Sequence, residues 1–404
     1  MSASHHVVVV GAGLGGLRTI EQLRSGGHLG PITLVGAERH VPYDRPPLSK
    51  QILNGLWEPQ RVILRDGTGL AELDVSVRLS TRAVALRGTT VDLDGGGSVT
   101  GDAIVIATGV VPRRLPGQPD GVVTLRTLDD ALALRKALDS AHSLIIVGAG
   151  FIGAEVACAA RRRDIAVTVL EAAPVPCERA LGRQVGALAA RLFTEAGVDL
   201  RCGARIARLV DDHTVELEDG AVLSADVVLV SVGATPDLAW LDGAGLRNQN
   251  GLACDERGRV VGTGGVWAVG DAAAWWDPVA GDHRRSEHWT TTIDQAAKVA
   301  CDILGTRLPA ARPPYVWSDQ FDLKVQTIGR TSTADEVVTL HGEGIQGGAV
   351  KGTVVGYFID GALTGVASFG APALFVRYRS LVESGADRGA VLAQAGRGTT
   401  RESR

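Results

Sequence analysis

The chain has 404 residues, 52 of them glycine and only 4% of them aromatic, and carries a net charge of −4 at pH 7. That length predicts two or three domains, and the glycine content suits many βα turns rather than a sandwich or barrel. The weak negative charge removes any electrostatic case for nucleic acid or an anionic membrane as the main partner, and no apolar run approaches the ~20 residues that span a bilayer.

Residues 1–6 lack the basic region and long apolar core of a signal peptide. The four valines at 7–10 are predicted to form a buried parallel strand. Gly11-Ala12-Gly13-Leu14-Gly15-Gly16 follows, then apolar spacing through Leu17, Ile20 and Leu23 that predicts a helix. A second strand at 32–35 runs into Ala37 and Glu38. Strand, glycine turn, helix, strand and terminal acid together are the dinucleotide-binding fingerprint. Glycines allow a tight turn and close approach to a pyrophosphate, the helix N-terminus offers N–H groups, and Glu38 is placed to accept hydrogen bonds from a ribose. Next comes Pro42-Tyr43-Asp44-Arg45-Pro46-Pro47-Leu48-Ser49-Lys50, a proline-stiffened loop with two cations.

A strand is predicted at 75–79, and weak alternation over 84–93 before Gly95-Gly96-Gly97 predicts a hairpin. Ala103-Ile104-Val105-Ile106-Ala107-Thr108-Gly109 reads as a buried strand, and 112–119, rich in Pro and Arg, as an inter-domain connection. A helix is predicted at 128–138. Then the opening theme returns: strand 144–147, Gly148-Ala149-Gly150-Phe151-Ile152-Gly153, helix 155–160, strand 167–170 and Glu171, 18 residues past the last glycine. The two units stand 137 residues apart, which implies two dinucleotides in one chain and, most economically, FAD in the first and a nicotinamide coenzyme in the second. No Arg or Lys follows Glu171 until Arg179, so nothing nearby would receive a 2′-phosphate, and NAD should be favoured over NADP.

Beyond lie a helix at 185–192, short strands through Val215 and Val222, and an apolar strand with turn at 226–236 that includes Gly233 and marks the return to the first domain. The strand at 266–271 delivers Gly270 and Asp271. A helix is predicted at 292–304, and Pro309, Pro313 and Pro314 mark a second boundary. Residues 315–395 read as strands (353–359 and 362–368 among them) followed by two short helices, with a frayed polar tail from 396. The predicted fold is α/β: two Rossmann-like dinucleotide-binding domains plus a C-terminal α+β domain. The expected boundaries are 1–112 with 236–312 for FAD, 113–235 for NAD, 313–396 for the appended domain and 397–404 for the tail.

The five cysteines, Cys158, Cys177, Cys202, Cys254 and Cys301, form no close pair. That pattern fits reduced thiols in a cytoplasm, without a disulfide framework, zinc site or iron–sulfur cluster.

The chain resembles the ferredoxin reductases of bacterial oxygenase systems, the group of putidaredoxin reductase, rubredoxin reductase and arene dioxygenase reductase, on the glutathione-reductase-like flavoprotein scaffold. The loop at 42–50, Leu125-Arg126-Thr127-Leu128-Asp129-Asp130, Trp267-Ala268-Val269-Gly270-Asp271, Glu287-His288-Trp289 with Gln295, and Trp317-Ser318-Asp319-Gln320 carry the likeness. Thr290-Thr291-Thr292 departs from it, where an Asn-Ala pair is more usual. The resemblance implies FAD contacts at Gly11, Gly13, Leu14, Gly15, Gly16, Ala37, Glu38 and Ala83, at Ala107, Thr108, Gly109, Gly270 and Asp271, and at Trp289 against the flavin ring. Arg45, Lys50 and Arg126 would face the flavin and its phosphates. Nicotinamide coenzyme contacts are implied at Gly148, Gly150, Phe151, Ile152, Gly153, Glu171 and Gly233. A Lys50–Glu155 pair would orient the nicotinamide, so these two are the candidate catalytic residues. Residues 39–60 hold no cysteine, where flavin-linked thiol enzymes carry theirs, so thiol chemistry is excluded and no metal is called for.

The implied activity is FAD-dependent NADH:ferredoxin oxidoreduction, with hydride passing to the flavin and single electrons to a small iron–sulfur protein feeding a haem-thiolate or Rieske-type oxygenase. Arg284, Arg285, Lys324 and Arg330 are candidates for a basic patch that would steer an acidic ferredoxin. The rivals are an NADH oxidase or quinone reductase, for which 377–404 offers no convincing membrane anchor, and a flavin-bound redox sensor. The acid at Glu171 predicts a kcat/KM for NADH at least about tenfold above that for NADPH; equal values in steady-state assays would refute that reading.

Overall fold

The computed structural model describes residues 5–246, 250–331 and 334–399. The chain forms two compact units. One comprises 1–45, 59–111 and 234–312, the other 46–58, 112–233 and 313–404.

In the first unit, parallel strands lie in the order Val266–Ala268, Ala103–Ile106, Val7–Val10, Ile32–Val35, Val75–Arg78. Val7 to Val10 are at most 2% exposed, as a strand covered on both faces requires. The order reverses beside Val7–Val10, the switch point where open α/β sheets hold ligands at the carboxyl ends of their strands. Gly11, Ala107 and Asp271 follow three strands of this sheet at that end. The hairpin expected over 84–93 is a three-stranded meander, Ala83–Arg87, Thr90–Leu93 and Ser98–Thr100. Its first turn falls at Gly88-Thr89, and the triple glycine makes the second.

Helix Leu14–Ser25 packs on helix Trp289–Leu304. A Cβ on Gly15 would lie 3.1 Å from Val269 and 3.2 Å from the Thr292 methyl, and one on Gly26 only 2.4 Å from Leu304. Small residues therefore set the approach of the two helices. The far end of the second helix is tied down by Asp302, whose side chain is 2% exposed. It accepts hydrogen bonds from Trp267 Nε1 at 2.9 Å, Arg259 at 2.6 and 2.9 Å, and Arg257 at 3.2 Å. Burial pushes the Asp302 carboxyl up, but the bonds from Arg259, Trp267 and Arg257 outweigh it and hold it below the usual range. This knot fixes the strand that delivers Asp271.

The second unit repeats the theme with strands Asp199–Cys202, Ala166–Glu171, Ser143–Val147 and Val227–Val230, all parallel. It also contains a five-stranded antiparallel sheet, ordered Tyr315–Gln320, Leu323–Gly329, Ala362–Phe369, Val354–Ile359, Glu336–His341. One face of this sheet, through Val325, Tyr357 and Phe369, buries Leu181, Val185 and Leu188 of helix Glu178–Glu195. The other, through Ile328, Phe358 and Val366, buries Phe375, the helix N-cap Tyr378 and Val391, in a C-terminal segment of three helices rather than the two expected. The last helix, Arg388–Thr399, takes up the start of the tail expected to fray from 396; residues 400–404 lie outside the described residues. Residues 46–58, expected with the FAD-binding segment, group with this unit instead. Ile52 N–H bonds the Pro47 carbonyl and Leu53 N–H that of Leu48, a π-helical turn, and Arg163 Nη2 clamps the Leu53 carbonyl.

Asp302→Asn should lower stability by about 2 kcal/mol at pH 7, the scale of lost hydrogen bonds to a charged group. Because the folded carboxyl is held low, the wild-type advantage is full above the unfolded value of 3.8 and fades as pH falls through the folded one. Urea melts with equal midpoints at pH 7 would contradict this.

Candidate active site

Both glycine turns have the same build. Gly11 has φ +118° and Gly148 φ +104°, and a Cβ there would lie 2.2 Å from the Ala107 carbonyl oxygen or 2.4 Å from that of Ser231. Gly16 and Gly153 each press on the turn, their Cβ positions 2.1 and 2.2 Å from the carbonyl oxygens of Gly11 and Gly148. Gly13 and Gly150 are the helix N-caps, and a Cβ on either would meet nothing within 4 Å. Neither helix has a side-chain cap or an acid in its first turn. A roofless glycine beneath unspent N–H groups is a cradle sized for pyrophosphate. The third packing glycine of the first turn is thus Gly16; Gly15 serves the helix–helix contact.

Around the first cradle, Glu38 Oε1 receives Arg45 Nη2 at 2.7 Å and Oε2 receives the Tyr43 hydroxyl at 2.5 Å. Each oxygen keeps a lone pair for a ribose hydroxyl. Burial works against the Arg45 charge, but Tyr43, Glu38 and Asp271 outweigh it and raise its pKa above the usual value. Asp271 follows Gly270 (φ +71°), whose N–H bonds Gln295 Oε1 at 2.8 Å. Trp289 opens its helix and donates its indole N–H to Asp44 at 2.9 Å. The Thr108 hydroxyl and the Gly109 carbonyl bond the backbone of Asp237. Ala83 pairs through its backbone with Leu93 and buries its methyl in the core, while Ala37 is exposed beyond its strand and Leu14 opens the first helix.

In the second unit, Glu171 accepts from the N–H groups of Ala149 (2.7 Å) and Ala173 (2.8 Å), so it braces the glycine turn. Phe151 packs toward the C-terminal sheet, Ile152 is exposed, and the Gly233 carbonyl bonds Arg113 N–H. Arg126 stands before helix Leu128–Leu138, its N–H on Asp130, within the Thr127/Asp130 capping box. Lys50 Nζ lies 2.8 Å from Glu155 Oε1 and donates to the Pro46 carbonyl at 3.1 Å. Glu155 is 5% exposed, and it also accepts from Ser49 and Ser318. The expected Lys50–Glu155 pair is therefore present. The two serines and Tyr43 are absent from the sequence candidates, although all three stand inside the quoted motifs.

Of the cations proposed for steering, Arg285 is turned inward on Glu287 at 2.5 Å and Lys324 pairs with Asp319 at 3.0 Å, so both have their charge answered by acids. Burial pushes the Cys177 and Cys254 thiols up to about 12 and raises Cys158 and Cys202 as well, so none of these four is a poised thiolate.

The family model for pyridine nucleotide-disulphide oxidoreductases matches residues 5–296, and that for a reductase C-terminal domain matches 315–396. The chain is 38% identical to the ferredoxin reductase component of chlorobenzene dioxygenase from Cupriavidus sp. (strain PS12), over 94% of this chain and 92% of the relative. It is 36% identical to the ferredoxin--NAD(+) reductase subunit of the benzene 1,2-dioxygenase system of Pseudomonas putida, over 94% and 93%. The crystal structure of the covalent putidaredoxin reductase-putidaredoxin complex superimposes with a TM-score of 0.89 at 28% identity, covering 99% of this chain and all (100%) of that one.

Gly150→Ala should leave the fold and the bound flavin intact while raising the KM for NADH about tenfold, because its Cβ meets only the space meant for ligand. Gly153→Ala, 2.2 Å from a backbone oxygen, should instead lower the melting temperature. Melting curves and NADH titrations of the two variants separate these effects.

Proposed function

The chain belongs to the pyridine nucleotide-disulphide oxidoreductase family, in its ferredoxin reductase branch, and from that premise we infer that it is an FAD-dependent NADH:ferredoxin oxidoreductase. The single observation that carries this reading is the pair of matching cradles, each with an open N-cap glycine and an acid at or just past the end of the second strand. Two cradles take two dinucleotides, and the residues present fit them. Gly11, Gly13 and Gly16 would hold the FAD pyrophosphate, and Glu38 its ribose. Arg45 and Asp271 supply one fixed positive and one fixed negative charge beside that site. Gly148, Gly150, Gly153 and Glu171 would hold NADH.

FAD, when bound, supplies a two-electron acceptor that can release electrons one at a time. The chain's own work is binding, orientation and charge placement. The helix N-termini and glycine N–H groups fix the phosphates. Trp289, locked by Asp44, presents an aromatic face at the end of its helix. The Lys50 ammonium, held by Glu155 and the Pro46 carbonyl, is a positive charge with one location, suited to stabilising negative charge that develops during hydride transfer. Buried, raised thiols in place of a redox-active pair support direct delivery to an external carrier.

The carrier is a small iron–sulfur ferredoxin, which passes the electrons to a Rieske-type or haem-thiolate oxygenase. Among the described residues no helix is long and apolar enough to cross a membrane. We place the protein in the cytoplasm, a reading supported by five unpaired cysteines and the use of NADH.

NADH oxidation by the FAD-loaded protein should be fast only when a small iron–sulfur ferredoxin is present, tested with a panel of ferredoxins and a rubredoxin and read through cytochrome c reduction. Oxygen and quinones should accept at no more than about a tenth of that rate. Equal turnover with quinone or oxygen would move the chain to an oxidase. A persistent long-wavelength band with almost no turnover would make it a sensor.

A further inference from the structure

We propose that Ser318 and Ser49 are positioning residues for hydride transfer, fixing the Glu155 carboxylate and through it the Lys50 ammonium; the idea rests on the Lys50–Glu155 reading above. Trp317-Ser318-Asp319-Gln320 lies on the edge strand Tyr315–Gln320, where side chains alternate between faces. Asp319 turns to Lys324 and Trp317 stacks on Tyr315. Ser318 and Gln320 go to the opposite face, both 0% exposed. The strand's inward pair therefore has no contact with solvent and one charged neighbour to serve.

That neighbour is Glu155. Ser318 Oγ stands 2.5 Å from Glu155 Oε1, and Gln320 Nε2 donates to Ser318 Oγ at 3.1 Å. A serine hydroxyl has a single proton. With the Gln320 amide donating to its oxygen, that proton is directed at Glu155. Gln320 Oε1 is buried without a hydrogen-bond partner among the described residues. On the other side, Ser49 donates to Glu155 Oε2, and Lys50, the next residue, reaches Oε1 at 2.8 Å. Both carboxylate oxygens are thus pinned, one by each serine.

Physically, a buried carboxylate paired with a lysine is held in one orientation only when its remaining lone pairs are satisfied. Remove Ser318 and Oε1 keeps the ammonium alone, so carboxylate and ammonium can swing together. Charge placed a fraction of an ångström off loses much of its preorganised effect. The C-terminal sheet, which supplies Ser318, thereby takes part in setting the geometry of the pair.

The test is anaerobic single-turnover reduction of the FAD-loaded protein by NADH. Ser318→Ala should lower the limiting rate about tenfold, the worth of one charge-assisted hydrogen bond, with half-saturating NADH unchanged within about twofold. Ser318→Thr, which keeps the hydroxyl, should restore it. In a Glu155→Gln background, Ser318→Ala should cost nothing further. A second readout needs no cofactor: urea unfolding of the apoprotein should show Ser318–Glu155 coupling of about tenfold in the unfolding constant by a double-mutant cycle. If Ser318→Ala fails to fold, Ser49→Ala makes the same test through the other oxygen. A wild-type rate in Ser318→Ala, a further loss on adding Ser318→Ala to Glu155→Gln, or zero coupling overturns the proposal while leaving the pair intact. A wild-type rate in Glu155→Gln overturns the reading of the pair itself.

Discussion

A parallel strand that must hand its chain directly to a helix leaves no room for a Cβ at the first and last glycine of the turn, and this constraint governs both halves of the protein. Gly16 lies against the carbonyl of Gly11, and Gly153 against that of Gly148, at distances a Cβ could not occupy. The same closeness aims each helix N-terminus past an open glycine. Structural necessity and anion binding are met by one backbone geometry. Each turn is held by its surroundings: the neighbouring strand ends, the buried Asp302 knot in the first unit, and Glu171 on the loop N–H groups in the second.

The chemistry-bearing charges follow a second rule, that ions partly or wholly withdrawn from water take several partners. Glu38 takes Tyr43 and Arg45, and Glu155 takes Ser49, Lys50 and Ser318. Breaking a member of the Glu155 set costs more than a surface ion pair ever gains, since Glu155 is 5% exposed and would stay buried and under-bonded. Arg45 and Lys50, five residues apart in one motif, belong to different compact units. The π-helical turn after Pro47 sets Lys50 toward Glu155 within one unit.

Residues 39–60 hold no cysteine. Burial pushes the Cys177 and Cys254 thiols up to about 12, away from a reactive thiolate. In a ferredoxin reductase the electrons go outward to a carrier, so the chain needs fixed charges and aromatic faces more than it needs a nucleophile.

The strand–glycine–helix units, their terminal acids and the absence of a cysteine pair were legible in the sequence because each is a local pattern with one cheap physical solution. So was the Lys50–Glu155 pairing, through resemblance. The hairpin expected at 84–93 falls one strand short because Gly88-Thr89 is a weaker turn signal than three glycines. Ser49, Ser318, Gln320 and Tyr43 stood in quoted motifs, but their roles were invisible: a serine's worth depends on which charge lies across from its hydroxyl. What the sequence by itself determined was local conformation and the chemical inventory, because turns, caps and strand periods are set by neighbours along the chain. Only the tertiary structure decided which acids are already bonded, which cations are answered, and which face of 317–320 turns inward, because those depend on residues far away along the chain, Glu155 and Ser318 being 163 positions apart.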